Sequence, residues 1–233
     1  MSAGKRIYLK RELPDPELCK AFAELPASNV ADCFERDSAM NPRIRLISKP
    51  SKSGACGPAF TVKGRAGDNL MIHVAMEYVQ EGDVLVVSNE EDSTRSLIGE
   101  VMISYLFYRK KIAALIIDGP IRDSEELSKW DFPIYCTGTT PGGPYKEGPG
   151  EINVPIACGG ISVNPGDLIL CDYDGVICIP RKDAPEILPK AQAYHENDEK
   201  KAAHNKVGEP NREWLHKALA DKKFEIIDDV YRP

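Results

Sequence analysis

The sequence has no apolar run near the roughly 18 residues that a membrane helix needs. Its polar start, Met1 to Arg6, leads into no apolar segment of the kind found in secretory signals. It also has no excess of positive charge, since its formal net charge is −6. That negative net charge argues against a protein whose overall surface binds the phosphate backbone of nucleic acids. We therefore expect neither membrane nor nucleic acid among its partners, and a cytoplasmic location.

Paired cysteine motifs are missing as well. The seven cysteines form no Cys-x-x-Cys or zinc-like pairing, and their number is odd. Most lie in apolar, strand-like runs, as Cys171 and Cys178 do. We interpret them as reduced, buried residues that act as small hydrophobic side chains, which favours the cytosol.

Nucleotide-binding loops are absent from the pattern too. The segment 138–150 holds five glycines and three prolines but lacks the Gly-Lys-Ser/Thr ending of a phosphate loop. We interpret it as a mobile flap or an interface loop.

His195 and Glu199 are four residues apart in a charged run, which is typical of a solvated helix face rather than of a His-Glu-x-x-His metal site.

The chain contains 233 residues, 42% hydrophobic and 28% charged, which is ordinary for a globular domain with an extension. Mixed helices and strands come first, short strands follow from Ile152, and a charged helical tail begins after Pro180. This order predicts a layered α/β/β architecture. We expect one domain over 1–180 and a helical extension over 181–233 that packs at a subunit interface.

Periodicity and turn residues predict the individual elements. The expected helices cover 16–25, 28–36 with Ser28 as its cap, 70–78 and 99–110. The expected strands cover 59–63, 84–87, 113–117 and 132–136, and a strand-like run lies at 224–227.

The most informative stretch is 116–123, Ile-Ile-Asp-Gly-Pro-Ile-Arg-Asp. An apolar strand ends at Asp118, and Arg122 and Asp123 follow a Gly-Pro turn. Ligand sites in α/β sheets lie beyond the carboxyl ends of strands. There a carboxylate can hold a hard cation and an arginine can neutralise an oxyanion. The pattern favours metal-assisted chemistry on a small oxyacid; a surface ion pair, or an aspartate that caps the next helix, is the alternative.

A second candidate is the helix start at Gly99. Free N–H groups at a helix N-terminus bind carboxylates, and glycine allows a ligand to approach the backbone. An ordinary helix start, with Glu100 favourable at the helix dipole, explains the same residues.

These motifs together resemble a known family. The resemblance covers about residues 20–205 and rests on Gly67-Asp68-Asn69, His73-Val74-Ala75, Gly82-Asp83, Gly99-Glu100, Asp118-Gly119, Arg122-Asp123, Asp131-Phe132-Pro133, Gly166-Asp167 and Asp172 to Val176. They resemble the class II pyruvate aldolases, that is, the 4-hydroxy-4-methyl-2-oxoglutarate and 4-carboxy-4-hydroxy-2-oxoadipate aldolases. Those enzymes share a fold with RraA, a regulator of ribonuclease E activity.

The resemblance implies an RraA-like α/β/β sandwich, similar to the swivelling phosphohistidine domain, with a helical C-terminal extension. It also implies homotrimers or homohexamers, Mg²⁺ or Mn²⁺ as cofactor, and a 2-oxo acid substrate. Carried over to this sequence, the roles are metal binding by Asp123, catalysis by Arg122, Glu100 and Glu199, and substrate binding by Gly99, Val101, Met102 and Arg122. Loops near Arg43, Arg45, Asn69 and Lys146 would contact the rest of the substrate.

The implied reaction is retro-aldol cleavage of 4-hydroxy-4-methyl-2-oxoglutarate, or a related 4-hydroxy-2-oxo acid, to pyruvate and a second keto acid. Oxaloacetate decarboxylation passes through the same enolate and is expected as a side activity. The alternative is a non-catalytic, RraA-like regulator that binds a ribonuclease. The roughly 50 residues after Pro180 favour the aldolase, since RraA-like regulators generally lack a long helical tail.

Overall fold

A computed structural model describes residues 4–34, 37–52, 54–208, 210 and 212–232. The chain divides into two compact units, Met1–Ala193 and Tyr194–Pro233. The helices are α1 (Pro16–Ala23), α2 (Ala27–Asp32), α3 (Leu70–Tyr78), α4 (Glu100–Ser104), α5 (Ser124–Leu127), α6 (Ala184–Val207) and α7 (Glu213–Asp221), with a π-helix at Tyr105–Lys110.

The strands are β1 (Arg45–Leu46), β2 (Ala55–Gly64), β3 (Val84–Ser88), β4 (Ala114–Asp118), β5 (Pro120–Ile121), β6 (Ile134–Cys136), β7 (Gly138–Thr139), β8 (Gly150–Ile152), β9 (Ile156–Cys158), β10 (Ile161–Val163), β11 (Leu168–Asp172) and β12 (Gly175–Ile179). The main sheet has the order β1-β6-β4-β3-β2-β11-β12, and β8 also pairs with β2. Its centre, from β6 through β4 and β3 to β2, is parallel. The carboxyl ends of β2, β3 and β4 therefore lie side by side.

The central strands are buried on both faces, which explains their continuous apolar runs. Leu85 and Leu115 point to one face and join a core cluster with Ile72 of α3 and Ile103 of α4. Val86 points to the other face. A second cluster there adds Ile116 of β4, Ile156 of β9, Val163 of β10 and Ile169 of β11. Helices thus cover one face and strands the other, as the predicted α/β/β sandwich requires.

Several element boundaries differ from the expected ones. The strand expected at 59–63 begins at Ala55, because β11 pairs with its first half from Cys171 opposite Ala55 to Leu168 opposite Pro58. Ser28 lies inside α2 and does not cap it, since Pro26 occupies the position before the first helical residue. The predicted end of that helix at Arg36 falls outside the described residues.

The helix expected over 99–110 is present but changes its winding. α4 continues into the π-helix, and Lys111 ends it in the left-handed region at φ 52°. The prediction of a strand-like run from Phe224 to Ile227 is wrong, because these residues form no strand and their apolar side chains are exposed. A strand needs a neighbouring chain segment to pair with, which hydrophobicity alone does not supply.

The charged tail is helical, as predicted. The first turns of α6 belong to the larger unit, where Ala184, Ile187 and Ala191 are buried beside α1 and α2. In the second unit, α7 has no buried residue. None of the helices within the described residues is long and apolar enough to cross a membrane.

The cysteines are free and mostly buried, as the sequence predicts. Burial raises the pKa of the Cys136 thiol to about 11. It raises that of the Cys171 thiol to about 12. Such thiols stay protonated and unreactive at neutral pH.

Candidate active site

The segment after β4 brings Arg122 and Asp123 against the start of α4. The backbone N–H of Leu97 donates to the Pro120 carbonyl at 3.0 Å, and the N–H of Arg122 donates to the Ile98 carbonyl at 3.1 Å. These two bonds fix the turn beside residues 97–99. The strand end and the helix start, which the sequence offered as separate candidates, therefore form one site.

Gly99 permits this close approach because it has no Cβ. A Cβ at this position would lie 2.2 Å from Asp123 Oδ2 and 2.8 Å from Arg122 Cγ. The backbone of Gly99 is extended, so its dihedral angles do not require glycine. What requires glycine is the space that the carboxylate and the arginine stem occupy.

Asp123 faces α4 rather than its own helix. Its backbone is left-handed at φ 61°, and its side chain makes no capping bond to α5. Instead Oδ2 accepts the N–H of Glu100 at 2.9 Å. The Nε of Arg122 lies 3.7 Å from the same oxygen. The alternative of an aspartate that caps the following helix is therefore wrong.

The backbone N–H groups in the first turn of α4 differ in whether they donate a hydrogen bond within the protein. The Glu100 N–H is bound to Asp123, and the Met102 N–H donates to the Gly99 carbonyl over a long 3.2 Å. Within the described residues, the Val101 N–H has no hydrogen-bond acceptor. Val101 is 81% exposed, so a ligand has access to this turn.

Two cavities meet at Arg122. The first has a volume of about 470 Å³, and Gly99, Val101, Met102, Asn69 and Lys146 line it together with Arg122. The second has a volume of about 520 Å³ and is lined by Arg122, Asp123 and the 139–141 segment. The predicted substrate-binding residues of α4 thus share a cavity with Arg122, and Asp123 lines the adjoining one.

The glycine-rich segment 138–150 closes the first cavity and is tied down. The buried Asp68 accepts the N–H groups of Glu147 at 2.7 Å and Gly148 at 2.9 Å. Arg95 donates to the Gly143 carbonyl at 3.0 Å and lies 4.3 Å from the centre of the Tyr145 ring. These bonds anchor the segment beside the cavity that Lys146 lines.

Two side-chain atoms of the first cavity are identified only by the structure. Asn69 is expected near the substrate, but its buried oxygen and the neighbouring His73 could not be identified as cavity-facing atoms. The available signal was their spacing, since residues four apart share one helix face. Burial, and after it the charge of Lys146, lowers the pKa of His73.

Arg43 was expected to contact the substrate, but in the structure it binds a buried carboxylate instead. Its guanidinium binds the buried Asp118, with Nη2 at 2.8 Å from Oδ2. Arg45 donates to the Pro42 carbonyl at 3.3 Å. Neither arginine lines the two cavities at Arg122.

Glu199 lies on α6 in the second unit and is exposed. Its carboxylate is 3.8 Å from His195 Nε2, so these two residues share a face as their spacing predicts. Its catalytic role stays a prediction.

The residues at the strand end fit a hard divalent cation. Asp123 and Glu100 offer carboxylate oxygens, the donor type that Mg²⁺ and Mn²⁺ prefer. No cluster of three or more His, Cys, Asp or Glu suited to a metal occurs among the described residues. Mg²⁺ commonly takes only one or two protein carboxylates and completes its shell with water and substrate oxygens. The small donor set is compatible with that mode.

Comparison with known proteins agrees with this fold. A protein of Halalkalibacterium halodurans, provisionally named 4-hydroxy-4-methyl-2-oxoglutarate aldolase, is 36% identical over 178 residues, which cover 76% of this chain and 83% of that one. The 4-hydroxy-4-methyl-2-oxoglutarate aldolase of Thermus thermophilus is 32% identical over 113 residues, 48% of this chain and 68% of that one.

A solved structure is similar over almost its full length. RraAS2 of Streptomyces coelicolor, described as an unusual member of the RNase ES inhibitor RraA protein family, superposes with a TM-score of 0.71 at 30% identity. The match covers 82% of this chain and 98% of that chain. The family model described as Aldolase/RraA matches residues 27–178, which include every strand from β1 to β11 and nearly all of β12. This chain therefore belongs to the Aldolase/RraA family.

Proposed function

We propose that this protein is a divalent-metal-dependent aldolase. It would cleave 4-hydroxy-4-methyl-2-oxoglutarate, or a related 4-hydroxy-2-oxo acid, to pyruvate and a second keto acid. The observation that carries the proposal is the junction at Gly99, where a carboxylate, a guanidinium and an open helix amide meet at the mouth of two cavities. The aldolase names of two relatives support it.

The chain supplies binding groups for each part of a 2-oxo acid. The Val101 N–H, with Met102 beside it, would bind the substrate carboxylate, as helix N-termini do. Arg122 pairs loosely through Nε at 3.7 Å and its side chain is half exposed, so its terminal nitrogens can reach a ligand. There they would stabilise the negative charge that develops on the keto oxygen as the C–C bond breaks.

Asp123 would hold Mg²⁺ or Mn²⁺, with Glu100 close by as a second carboxylate. When bound, such an ion would act as a Lewis acid towards the carboxylate and keto oxygens of the substrate. Glu100 is exposed, and it would take the proton of the substrate 4-hydroxyl and return it to the methylene carbon of the pyruvate enolate. Glu199 is the further acid that we assign to catalysis.

The test is pyruvate release from 4-hydroxy-4-methyl-2-oxoglutarate and from oxaloacetate, measured with lactate dehydrogenase and NADH. Each substrate is assayed with Mg²⁺, with Mn²⁺ and with EDTA. We expect turnover of both substrates that EDTA abolishes and added metal restores. Inert kinetics across a panel of 4-hydroxy-2-oxo acids and both metals would contradict the proposal. Turnover that survives EDTA would contradict the metal requirement of the proposal.

The second candidate function is an RraA-type regulator without catalysis. It is favoured by the Streptomyces structure, whose description concerns a ribonuclease inhibitor family. Its test is RNA cleavage by an RNase E-type enzyme with and without this protein. Inhibition at stoichiometric concentration, together with inert aldolase kinetics, would reverse our ranking of the two functions.

We also propose a homotrimer or homohexamer. Apolar side chains are exposed on the helix that begins at the site, with Val101 81% and Tyr108 63% accessible. Exposed apolar groups that cluster in this way commonly mark protein interfaces. Light scattering of the purified chain measures the mass directly, and a monomer at micromolar concentration would refute the assembly.

A further inference from the structure

The inner wall of the 470 Å³ cavity carries two buried polar atoms that lack a partner. These are Asn69 Oδ1 and His73 Nε2, neither of which has a hydrogen-bond partner among the residues that the structure describes. Asn69 directly precedes α3 and His73 lies one turn later, so both side chains are on the same face of the helix. Unsatisfied buried polar atoms are costly, and two that line one cavity indicate a ligand that satisfies them.

The orientation of the Asn69 amide is fixed by its other end. Nδ2 donates to the Leu97 carbonyl at 2.8 Å, and a flipped amide would set two oxygens against each other. Asn69 makes no capping bond to α3, so its oxygen is not used by the helix. Asn69 is only 2% exposed, so a ligand in the cavity is the expected source of a donor for Oδ1. A keto or carboxylate oxygen at this place would be repelled.

The His73 side chain further restricts which chemical group of a ligand can bind at this place. Because burial and the charge of Lys146 both lower its pKa, the imidazole is neutral near pH 7, with one ring nitrogen as donor and one as acceptor. A hydroxyl group can donate to Asn69 and at the same time bind His73. An ammonium group would suit the asparagine, but it would face Lys146 and Arg122 in the same cavity.

We infer that Asn69 and His73 are the specificity-determining pair that binds the hydroxyl group of an anionic hydroxy acid. Lys146 and Arg122 supply the positive charge for its carboxylates, and Asp68 holds Lys146 in place through the 147–148 amides. This inference rests on the proposed function for one point, the assignment of the group to the 4-hydroxyl of the substrate. Selection for a hydroxyl over its absence does not depend on catalysis.

The first experiment compares two reactions in the variants Asn69→Leu and His73→Phe. The aldol substrate carries the hydroxyl, whereas oxaloacetate lacks it. We expect kcat/KM for cleavage of 4-hydroxy-4-methyl-2-oxoglutarate to fall at least about tenfold in each variant, because a site built for a hydroxyl loses much when that bond is removed. Oxaloacetate decarboxylation should change by less than about twofold, the size of a minor packing effect. Equal losses for both substrates would overturn the inference.

Controls separate this effect from misfolding. Asn69→Leu also removes the bond to Leu97, so His73→Phe, for which no such second bond exists within the described residues, is the decisive variant. His216→Phe makes the same exchange at an exposed position of α7 and should leave both reactions unchanged. Thermal unfolding of all three variants checks the fold.

The second experiment stands without the aldolase activity. Calorimetry measures the binding of malate and of succinate, which differ by one hydroxyl, to the full chain in EDTA. We expect at least about fivefold tighter binding of malate to the wild type, of the order of one hydrogen bond, and loss of that preference in His73→Phe. Equal or undetectable binding of the two acids would overturn the inference. A preference that is lost in the variant, together with absent cleavage, would refute the proposed function alone.

Discussion

Two arginine–aspartate pairs lie at the end of β4, and they differ in burial and in how fully they are bonded. The Asp118 side chain is 3% exposed, and Arg43 contacts both of its oxygens, with Nη1 2.5 Å from Oδ1. The Gly159 N–H adds a third contact to Asp118 at 2.9 Å. Asp123 is 41% and Arg122 50% exposed, and they meet through one contact of 3.7 Å.

The difference separates a structural pair from one suited to ligands. Asp118 is buried and bound by Arg43 and by the Gly159 N–H, and it joins the residue 43 loop and the residue 159 turn to the sheet. Asp123 has one short bond and Arg122 has none to its carboxylate, so both retain capacity for a substrate and a cation. Residue type is the same in both pairs; burial and the closeness of the ion pair distinguish them.

The largest expected effect is on catalysis by Arg122→Ala. Removing the charge that stabilises the developing oxyanion should lower kcat by about 10³, or about 4 kcal/mol, the upper range for one such donor. Because the pair is exposed and loose, the melting temperature should stay nearly unchanged. Pyruvate release and thermal unfolding measure the two quantities. An active Arg122→Ala enzyme would show that the exposed pair is only a surface contact.

The converse variant is Arg43→Ala. It leaves the buried Asp118 carboxylate with a single short contact, from the Gly159 N–H, and should cost about 3 kcal/mol in the free energy of unfolding, as for a broken buried ion pair. Urea denaturation monitors this loss. At a temperature where the variant is folded, its kcat should stay close to that of the wild type. A stable but inactive Arg43→Ala protein would reverse the assignment of the two pairs.

Gly99→Ala tests the contact that brings the exposed pair to α4. Its Cβ would lie 2.2 Å from Asp123 Oδ2, so the carboxylate must move away from the Glu100 N–H. A displacement of this size should lower kcat/KM by about 10². Gly82→Ala is the glycine control, since its Cβ would meet nothing within 4 Å and its left-handed backbone costs stability only. An equal loss of activity in both would contradict the steric argument.

The smallest expected effect is that of Asp68→Asn. Asp68 resembles Asp118 in being buried, but the amides it binds belong to the loop that carries Lys146. Asp68 Oδ2 accepts both loop amides, and Oδ1 accepts the Leu70 N–H. An asparagine accepts at one oxygen only, so its NH₂ group opposes either the loop amides or Leu70, which costs about 1–2 kcal/mol. We expect KM for a dicarboxylic substrate to rise about tenfold, with a smaller change in kcat. A change in kcat alone would mean that the loop does not position Lys146 for binding.

Much of the fold can be predicted from local patterns. The apolar runs of β3 and β4 are long enough, and end sharply enough, to identify parallel strands and their carboxyl ends. The helix α3 follows from its spacing. The antiparallel first half of β2 could not be predicted, because its partner β11 lies more than a hundred residues later and pairing depends on that contact. The same dependence explains why Phe224 to Ile227 suggested a strand that the structure does not form.

The site was predicted only in part, because its remaining features also depend on contacts between residues distant in sequence. Glycine at 99 was interpreted as room for a ligand, whereas the space is occupied by the Asp123 carboxylate and the Arg122 stem. Arg43 was interpreted as a substrate contact, because nothing local reveals that it is bound to Asp118. His73 was named only as part of a family motif, since an orphaned ring nitrogen is visible only when its surroundings are known.

The order of residues was thus sufficient to set which strands are buried, where β4 ends, and that an arginine and an aspartate follow it. Those features depend on neighbours within a few positions, where side-chain volume and backbone preference act directly. Only the folded chain decided which carboxylate is buried in an ion pair, which amide stays open, and which buried polar atoms face a cavity. These depend on contacts between residues far apart in sequence, whose geometry is set by the packing of the whole sheet.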